Sequence, residues 1–381
     1  MRILVSAGEA SGDMYASELV RALREISGQI SFFGCTGTRL KDAGVETVVD
    51  SESLSVVGLA EVIGHLPGIY AEYRKLIGYV KEHTPDAAIL TDSPDFHLRL
   101  ARHLKKLGIP TYYLVAPQVW AWRSGRVRQI AARVRKLFCL FPFEEEWFRA
   151  RGVDAHYIGH PLARTVKPKM SRQEFFERYQ LNAGALTLVL LPGSRPGEAL
   201  RHIPDLLDTV AILRREFPLQ VVLGTPRGFR DRRVFERFRE RIAAHSIQVI
   251  EDETWDVLAY ADLALAASGT VTVEAAVLGT PMVTFYKVTP LSWWAGRRLV
   301  KVPYLSMVNL IAGKALVPEL MQHDMTPEKL SAAAAMLLGS PQESARMRSE
   351  LLELKRLLTM PFDPFVHAAQ MIAADLCHAS V

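Results

Sequence analysis

Ile3-Leu4-Val5-Ser6-Ala7-Gly8-Glu9-Ala10-Ser11-Gly12-Asp13 opens the chain, and Leu188-Val189-Leu190-Leu191-Pro192-Gly193-Ser194-Arg195-Pro196-Gly197-Glu198 repeats its design about 185 residues later. Each is a short apolar run, then a loop with two glycines four apart, then an acidic residue at the head of a helical pattern. Open α/β sheets use this strand–loop–helix unit to present backbone N–H groups to a ligand at the carboxyl end of a strand. Two copies predict an α/β fold of two Rossmann-like domains facing a central cleft, which suits an enzyme that joins two substrates. Two ordinary tight βα turns would read the same way. Neither copy is GxGxxG or a P-loop, so neither points directly to a dinucleotide or ATP.

Working outward, apolar strand candidates at 2–6, 30–34, 86–91, 110–115, 136–141 and 155–158 alternate with helical periodicity at 13–26, 59–82, 95–107, 123–132 and 143–151. That alternation implies a parallel sheet covered on both faces. The polar stretch Thr165-Val166-Lys167-Pro168-Lys169, with Ser171 as a helix cap beyond it, marks a boundary. It separates a first domain over 1–165 from a second over 166–361. The second repeats the scheme, with strands near 186–191, 219–223, 247–250, 262–266 and 281–285, and the tail from about 318 reads as nearly all helix. By analogy with two-domain folds of this kind, the last helix, about 362–381, is expected to pack back on the first domain.

The bulk properties narrow the function. At 381 residues with 49% hydrophobic and 23% charged side chains, the chain has material for two cores and is not disordered. It starts on a strand, which leaves no room for a signal peptide, and no apolar run reaches the roughly 18 residues of a membrane span. Cys35, Cys139 and Cys377 make an odd, scattered set that fits a reducing cytoplasm. A net charge of +5 suits an anionic substrate or an anionic membrane surface. The densest basic run, Arg227 to Arg241, alternates with Phe229, Val234, Phe235, Phe238 and Ile242 as a solvated amphipathic helix does, so nucleic acid is not expected. No HxH, HExxH or DxD pattern occurs, and neither a metal nor a cofactor is expected.

Several constellations can carry chemistry. Glu9 and Asp13 in the first loop can bind a sugar hydroxyl or take a proton, and Asp13 can equally cap a helix. Asp92 and Asp95, three residues apart in Thr91-Asp92-Ser93-Pro94-Asp95-Phe96, stand where a third strand ends, placed for general-base work or for a turn and a cap. Residue patterns do not rank one above the other. Gln118, Trp120, Trp122 and Arg123, with Arg126 and Arg128 beyond, can form a polar-aromatic substrate wall, although one tryptophan is expected in the core. Gly193, Ser194 and Arg195 fit diphosphate binding, and Ser268-Gly269-Thr270 opens a second such helix, with Glu274 one turn in and able to accept two ribose hydroxyls. Glu274 can also simply favour the helix dipole. Two stretches fit a lipid surface. One is Val56 to Ile69, apolar almost all round and including Val57, Leu59 and Ile63. The other is Pro290 to Tyr304, with Trp293, Trp294, Arg297, Arg298 and Lys301; for this second stretch, a core helix at a domain edge is slightly preferred.

Taken in order, Gly8 to Asp13, Ser93-Pro94-Asp95-Phe96, Pro117-Gln118-Val119-Trp120-Ala121-Trp122-Arg123, Phe141-Pro142-Phe143-Glu144, Gly159-His160-Pro161-Leu162, Leu191-Pro192-Gly193-Ser194-Arg195 and Ala267-Ser268-Gly269-Thr270 closely resemble the lipid-A-disaccharide synthases. The match runs from the first loop to Asn309-Leu310-Ile311-Ala312-Gly313. The resemblance implies an inverting GT-B glycosyltransferase, peripheral on the cytoplasmic face of the inner membrane. It would move a 2,3-diacylglucosamine from UDP-2,3-diacylglucosamine to the 6-hydroxyl of 2,3-diacylglucosamine 1-phosphate, with the acceptor on the first domain and the UDP-sugar on the second. By the same resemblance Asp95 is the favoured base, and Glu9 lines the acceptor side. Arg195, Ser268, Gly269, Thr270, Glu274 and Asn309 lie around the UDP. Two departures stand out: His97 replaces the usual Asn, and Met307-Val308-Asn309 replaces the usual Leu-Pro-Asn. The competing readings are another UDP-sugar enzyme of this architecture, a peptidoglycan glycosyltransferase or an epimerase, and a non-catalytic nucleotide-sugar-binding protein. The apolar stretch at 56–69 argues against the first, and the acids Glu9, Asp92 and Asp95 argue against the second. A homodimer is compatible with this sequence.

Overall fold

The apolar runs become two parallel sheets in a computed structural model, which describes residues 1–54, 59–290, 293–294, 300 and 302–379, leaving aside the side chains of 54, 59–66, 378 and 379. The first sheet holds β1 (Arg2–Ala7), β2 (Ser31–Thr36), β3 (Glu46–Asp50), β4 (Ala87–Thr91), β5 (Thr111–Leu114), β6 (Lys136–Cys139) and β7 (Ala155–Tyr157), in the order β3-β2-β1-β4-β5-β6-β7. The second holds β8 (Leu186–Leu191), β9 (Leu219–Thr225), β10 (Gln248–Glu251), β11 (Leu263–Ala267), β12 (Met282–Tyr286) and β13 (Glu319–Met321), in the order β10-β9-β8-β11-β12-β13. Neighbouring strands pair in parallel throughout. The central strands β1, β4, β8 and β11 are buried along nearly their whole length, as helices on both faces require.

In each sheet the chain reverses direction across its first strand, between β1 and β4 and again between β8 and β11. Such switch points leave a crevice at the strands' carboxyl ends, because the crossing helices depart to opposite faces. The loops that leave β1, β4, β8 and β11 are the ones that carry the acidic and glycine motifs.

The chain divides into two compact units, Met1–Pro161 with Met360–Val381, and Leu162–Thr359. The final helix, Pro364–Ala379, belongs to the first unit. Its Phe365, Ala368, Ala369 and Ile372 join Leu19 and Leu23 of the first helix in one core, and Tyr15 meets Phe365 at 5.7 Å between ring centroids. Asp375 accepts the Tyr112 hydroxyl at 2.6 Å and pairs with Arg135, which ties that helix to β5 and β6. Ser171 caps its helix by accepting from Glu174 N, while the Glu174 side chain accepts from Ser171 N.

Two strands depart from the expectation. β3 and β13 are edge strands of five and three residues with only partial burial, so they carry no sustained apolar signal. The tail after 318 is therefore not purely helical. Among the described residues, no helix is long and apolar enough to cross a membrane.

Candidate active site

The glycines of the first loop make room for a carboxylate. Asp92, at the end of β4, accepts from Gly8 N at 2.9 Å and Glu9 N at 3.1 Å. A Cβ on Gly12 would stand 1.7 Å from Asp92 Oδ2, and one on Gly8 would stand 2.4 Å from Ser93 Oγ. The two-glycine spacing is thus set by two adjacent side chains, Asp92 and Ser93, some 80 residues further along the chain. Asp92 and Ser93 both take left-handed backbone angles, φ 53° and 33°, as does the β-branched Val115 at φ 64° after β5. Non-glycine residues hold such angles only where their surroundings impose them, and they gather at functional sites.

What imposes them is a buried network. The Asp92 carbonyl accepts from the Tyr113 hydroxyl and from His97 Nδ1, the latter at 3.0 Å. A carbonyl only accepts, so Nδ1 carries the ring proton, and Nε2 accepts from Ser6 Oγ at 2.8 Å. Burial pushes His97 down to about 4, which keeps the ring neutral in this role. The departure from Asn at this position therefore falls on a structural support. Burial also raises Asp92 to about 7, against the opposing pull of its hydrogen bonds from Gly8, Ser93 and Glu9. Asp92 clamps two loops together, and of the three candidate acids Glu9 and Asp95 are the exposed ones.

Asp13 does not face this site. It is buried, and its carboxylate accepts from Gly37 N, Arg39 N and Leu40 N at 2.7, 2.8 and 3.3 Å, capping the short helix Thr38–Asp42. The acceptor-side reading of Asp13 is corrected accordingly.

Asp95 lies in the first turn of the helix Pro94–Lys106, with its side chain 65% exposed. Arg123 Nη1 donates to both its oxygens, at 3.2 and 3.0 Å, and Arg126 Nη2 donates to Oδ1. Burial works to raise its pKa, but the two guanidinia outweigh that and hold it below the ordinary carboxylate value. Burial raises the neighbouring Tyr113 phenol well above its ordinary value, and the charge of Asp92 adds to the rise.

The segment after Pro117 splits in two. Trp122 is exposed, with the Arg123 guanidinium 4.1 Å above its ring, and Gln118 is also exposed. Trp120 is not a substrate wall. It is buried, its Nε1 donates to Glu144 Oε1 at 3.1 Å, and its ring packs on Phe143. Glu144 also accepts from Phe141 N at 3.2 Å, and burial raises it to about 7. Its position three residues after Phe141, in the first turn of the helix Pro142–Arg149, is the signal that could have found it.

The second unit solves the same problem with a nearer acid. Gly193 has φ 104°, and a Cβ there would lie 2.4 Å from Glu198 Oε2. Glu198 is buried, accepts from Arg195 N at 3.2 Å and from the Tyr286 hydroxyl at 2.8 Å, and so braces the loop from its own helix. One backbone donor of this loop is therefore already in use. His202 sits beneath: Nδ1 donates to Pro192 O at 2.7 Å, and Nε2 accepts from Lys287 N at 3.0 Å. Ser194 and Arg195 are exposed, Arg195 to 70% of its side chain.

At the neighbouring strand end, Ser268 N donates to Phe285 O at 2.8 Å and Ser268 Oγ to Leu305 O at 3.3 Å, with Gly269 and Thr270 exposed. Glu274 is half-buried on the helix Thr270–Leu278. Burial raises its pKa, and a hydrogen bond from Trp255 opposes the rise. Asn309 is corrected. It is 1% exposed, its Nδ2 donates to Val317 O and Glu319 Oε1, and its Oδ1 accepts from Leu316 N and Val317 N, all within 2.9 Å. Every polar atom of the side chain is used in holding β13, and none is left for a nucleotide.

Val57, Arg297, Arg298 and Lys301 lie outside the described residues, as do the side chains of Leu59 and Ile63. Of the second lipid-facing candidate, Trp293 is half-buried and Trp294 is 59% exposed. Among the described residues no group of three or more His, Cys, Asp or Glu gathers as a metal site.

Comparison with known proteins adds a family to this geometry. The family profile described as Lipid-A-disaccharide synthetase matches residues 3–360. The lipid-A-disaccharide synthase of Solibacter usitatus is 57% identical over 94% of this chain and 93% of its own, and that of Myxococcus xanthus is 42% identical over 92% and 94%. Among solved structures, the fold is similar to the UDP-GlcNAc 2-epimerase of Neisseria meningitidis bound to UDP-GlcNAc, with TM-score 0.63, 11% identity and coverage of 99% of this chain and 100% of that one. It is equally similar to the glycosyltransferase of kitacinnamycin, with TM-score 0.63, 16% identity and coverage of 98% and 99%. At those identities the structures speak for the fold alone, whereas the sequence match spans both units and all of the loops described above, and by it the chain belongs to the lipid-A-disaccharide synthase family.

Proposed function

We propose that the protein transfers 2,3-diacylglucosamine from its UDP donor to the 6-hydroxyl of 2,3-diacylglucosamine 1-phosphate, yielding the β(1→6)-linked disaccharide 1-phosphate and UDP. Family membership supports the reaction class. The observation that carries the residue roles is the exposed Asp95 carboxylate in the first turn of the helix after β4, at the β1/β4 switch point, where Asp92 ties the two loops together through Gly8 N and Glu9 N.

Asp95 takes the proton from the acceptor's 6-hydroxyl as that oxygen bonds to the donor's anomeric carbon. The bond from that carbon to the diphosphate breaks on the opposite face, and UDP leaves with the electron pair, so the anomeric centre inverts. Glu9 orients the acceptor. Arg195, with the loop N–H groups around Gly193, Ser194, Gly269 and Thr270, takes up the charge growing on the diphosphate, while Ser268 anchors its loop to Phe285 and Leu305. Glu274 accepts the ribose hydroxyls. The first unit thus holds the acceptor and the second the UDP-sugar.

Acyl chains anchor both sugars, since each buried CH₂ is worth about 0.8 kcal/mol. The protein therefore works at the cytoplasmic surface of the inner membrane. The exposed Trp294 and the net charge of +5 support contact with an anionic leaflet. The test is UDP release from the purified protein with both substrates, and with each omitted. Release is expected only with both. Release without acceptor would favour a hydrolase or epimerase, and no release with both would end this reading.

A further inference from the structure

One carboxylate cannot neutralise two guanidinia. Arg123 and Arg126 flank the short 3₁₀ turn Ser124–Arg126, with Arg126 N donating to Arg123 O at 2.9 Å. Three residues per turn place both side chains on one edge, where both reach Asp95. The Trp122 ring backs Arg123 and fixes the plane of its fork. The guanidinia are not sealed off, since their side chains are 40% and 20% exposed. Arg123, Arg126 and Asp95 taken together therefore carry one surplus positive charge, with forked donors, toward a ligand arriving at the end of β4. The same contacts oppose the chemistry, because a carboxylate gripped by two arginines accepts a proton poorly.

We propose that Arg123 and Arg126 bind the anomeric phosphate of the acceptor, and that the phosphate, by taking over both guanidinia, frees Asp95 to act on the 6-hydroxyl. This rests on the transfer reaction proposed above. A phosphate dianion accepts from guanidinium forks through three oxygens and outcompetes a single carboxylate for them. One hexose ring separates the anomeric phosphate from the 6-hydroxyl. Groups that touch in the free protein thus come to serve opposite ends of the sugar once the phosphate draws the arginines off. An acceptor without the phosphate leaves the base gripped, so one contact both binds the substrate and releases the catalytic group.

The test compares a short-chain 2,3-diacylglucosamine 1-phosphate with its 1-hydroxyl counterpart, by calorimetric binding to the full-length wild type, Arg123→Gln, Arg126→Gln, Arg126→Lys and Asp95→Asn. UDP affinity in each variant reports intact folding. The wild type is expected to prefer the phosphorylated sugar at least tenfold. Each Gln variant should lose about tenfold or more of that preference, and Arg126→Lys should keep part of it. Asp95→Asn, which removes the internal competitor, should tighten phosphate binding about two- to fivefold. A preference unchanged in both Gln variants, or weaker phosphate binding in Asp95→Asn, overturns the proposal. Because the readout is binding, it stands apart from the UDP-release assay, whose failure would remove the transfer reading instead.

Discussion

Gly12→Ala is expected to destabilise the protein as it stands and to stabilise it once Asp92 is gone. The new Cβ would lie 1.7 Å from Asp92 Oδ2 and 2.7 Å from its Cγ. The carboxylate cannot retreat without stretching its bonds from Gly8 N and Glu9 N, each charge-assisted bond being worth roughly 1.5–3 kcal/mol. Overpacking of this kind costs about 1–3 kcal/mol. Alanine in place of glycine in a helix contributes about 0.5–1 kcal/mol in the other direction, too little to offset it. Asp92→Gly removes the carboxylate and suits the φ of 53° at that position. In that background Gly12→Ala should raise stability by about 0.5–1 kcal/mol. The coupling between the two sites, roughly 2 kcal/mol, is well clear of the ordinary error of additivity. Urea unfolding of the four proteins at one pH, with m-values checked for equality, measures it. If Gly12→Ala has the same effect in both backgrounds within about 0.5 kcal/mol, the glycine spacing does not exist to admit Asp92.

Asp95→Asn should lower turnover by roughly 10²–10⁴-fold with UDP affinity unchanged, measured by steady-state UDP release and by calorimetry; near-normal turnover would move the base to Glu9. Arg195→Ala should weaken UDP binding and slow turnover together, and a loss of melting temperature with both unchanged would reduce Arg195 to a helix-start contact. Glu144 supplies a pH test. Burial raises it from the ordinary 4.5 to about 7, so the folded state favours its protonated form. Its contribution to stability is full below pH 4.5 and is lost as pH rises through 7, by roughly 3 kcal/mol. Glu144→Gln should flatten that part of the stability–pH profile whatever its absolute effect, and an unchanged slope would show that Glu144 stays ionised in the fold.

The central strands were legible because burial on both faces writes a continuous apolar run, as in Ala87–Thr91 and Leu263–Ala267. The edge strands β3 and β13 were not, since half-exposed residues carry little pattern. The glycine loops are legible as strand–loop–helix turns, but what their spacing makes room for is not. Gly8 admits Ser93 and Gly12 admits Asp92, and no local signal links residues some 80 apart. Asp13 and Asn309 show the same limit: a polar residue near a strand end reads as a ligand contact until its partners, Gly37 to Leu40 for one and Leu316 to Glu319 for the other, are seen to use it up. Trp120 is in the interior and Trp122 outside, a choice made by the buried Glu144 and not by the aromatic run itself. Asp95 could not be ranked above Asp92 from the sequence. Burial separates them, since Asp92 is enclosed by backbone donors and Asp95 is open at the site.

The central claim is that this chain makes one sugar–sugar bond with inversion, and the linkage of its product tests that most directly. The purified protein, given both acylated substrates, should yield a disaccharide 1-phosphate whose NMR spectrum shows a β(1→6) linkage, in amount equal to the UDP released. UDP release accompanied by free diacylglucosamine, or by an α-linked product, would contradict it.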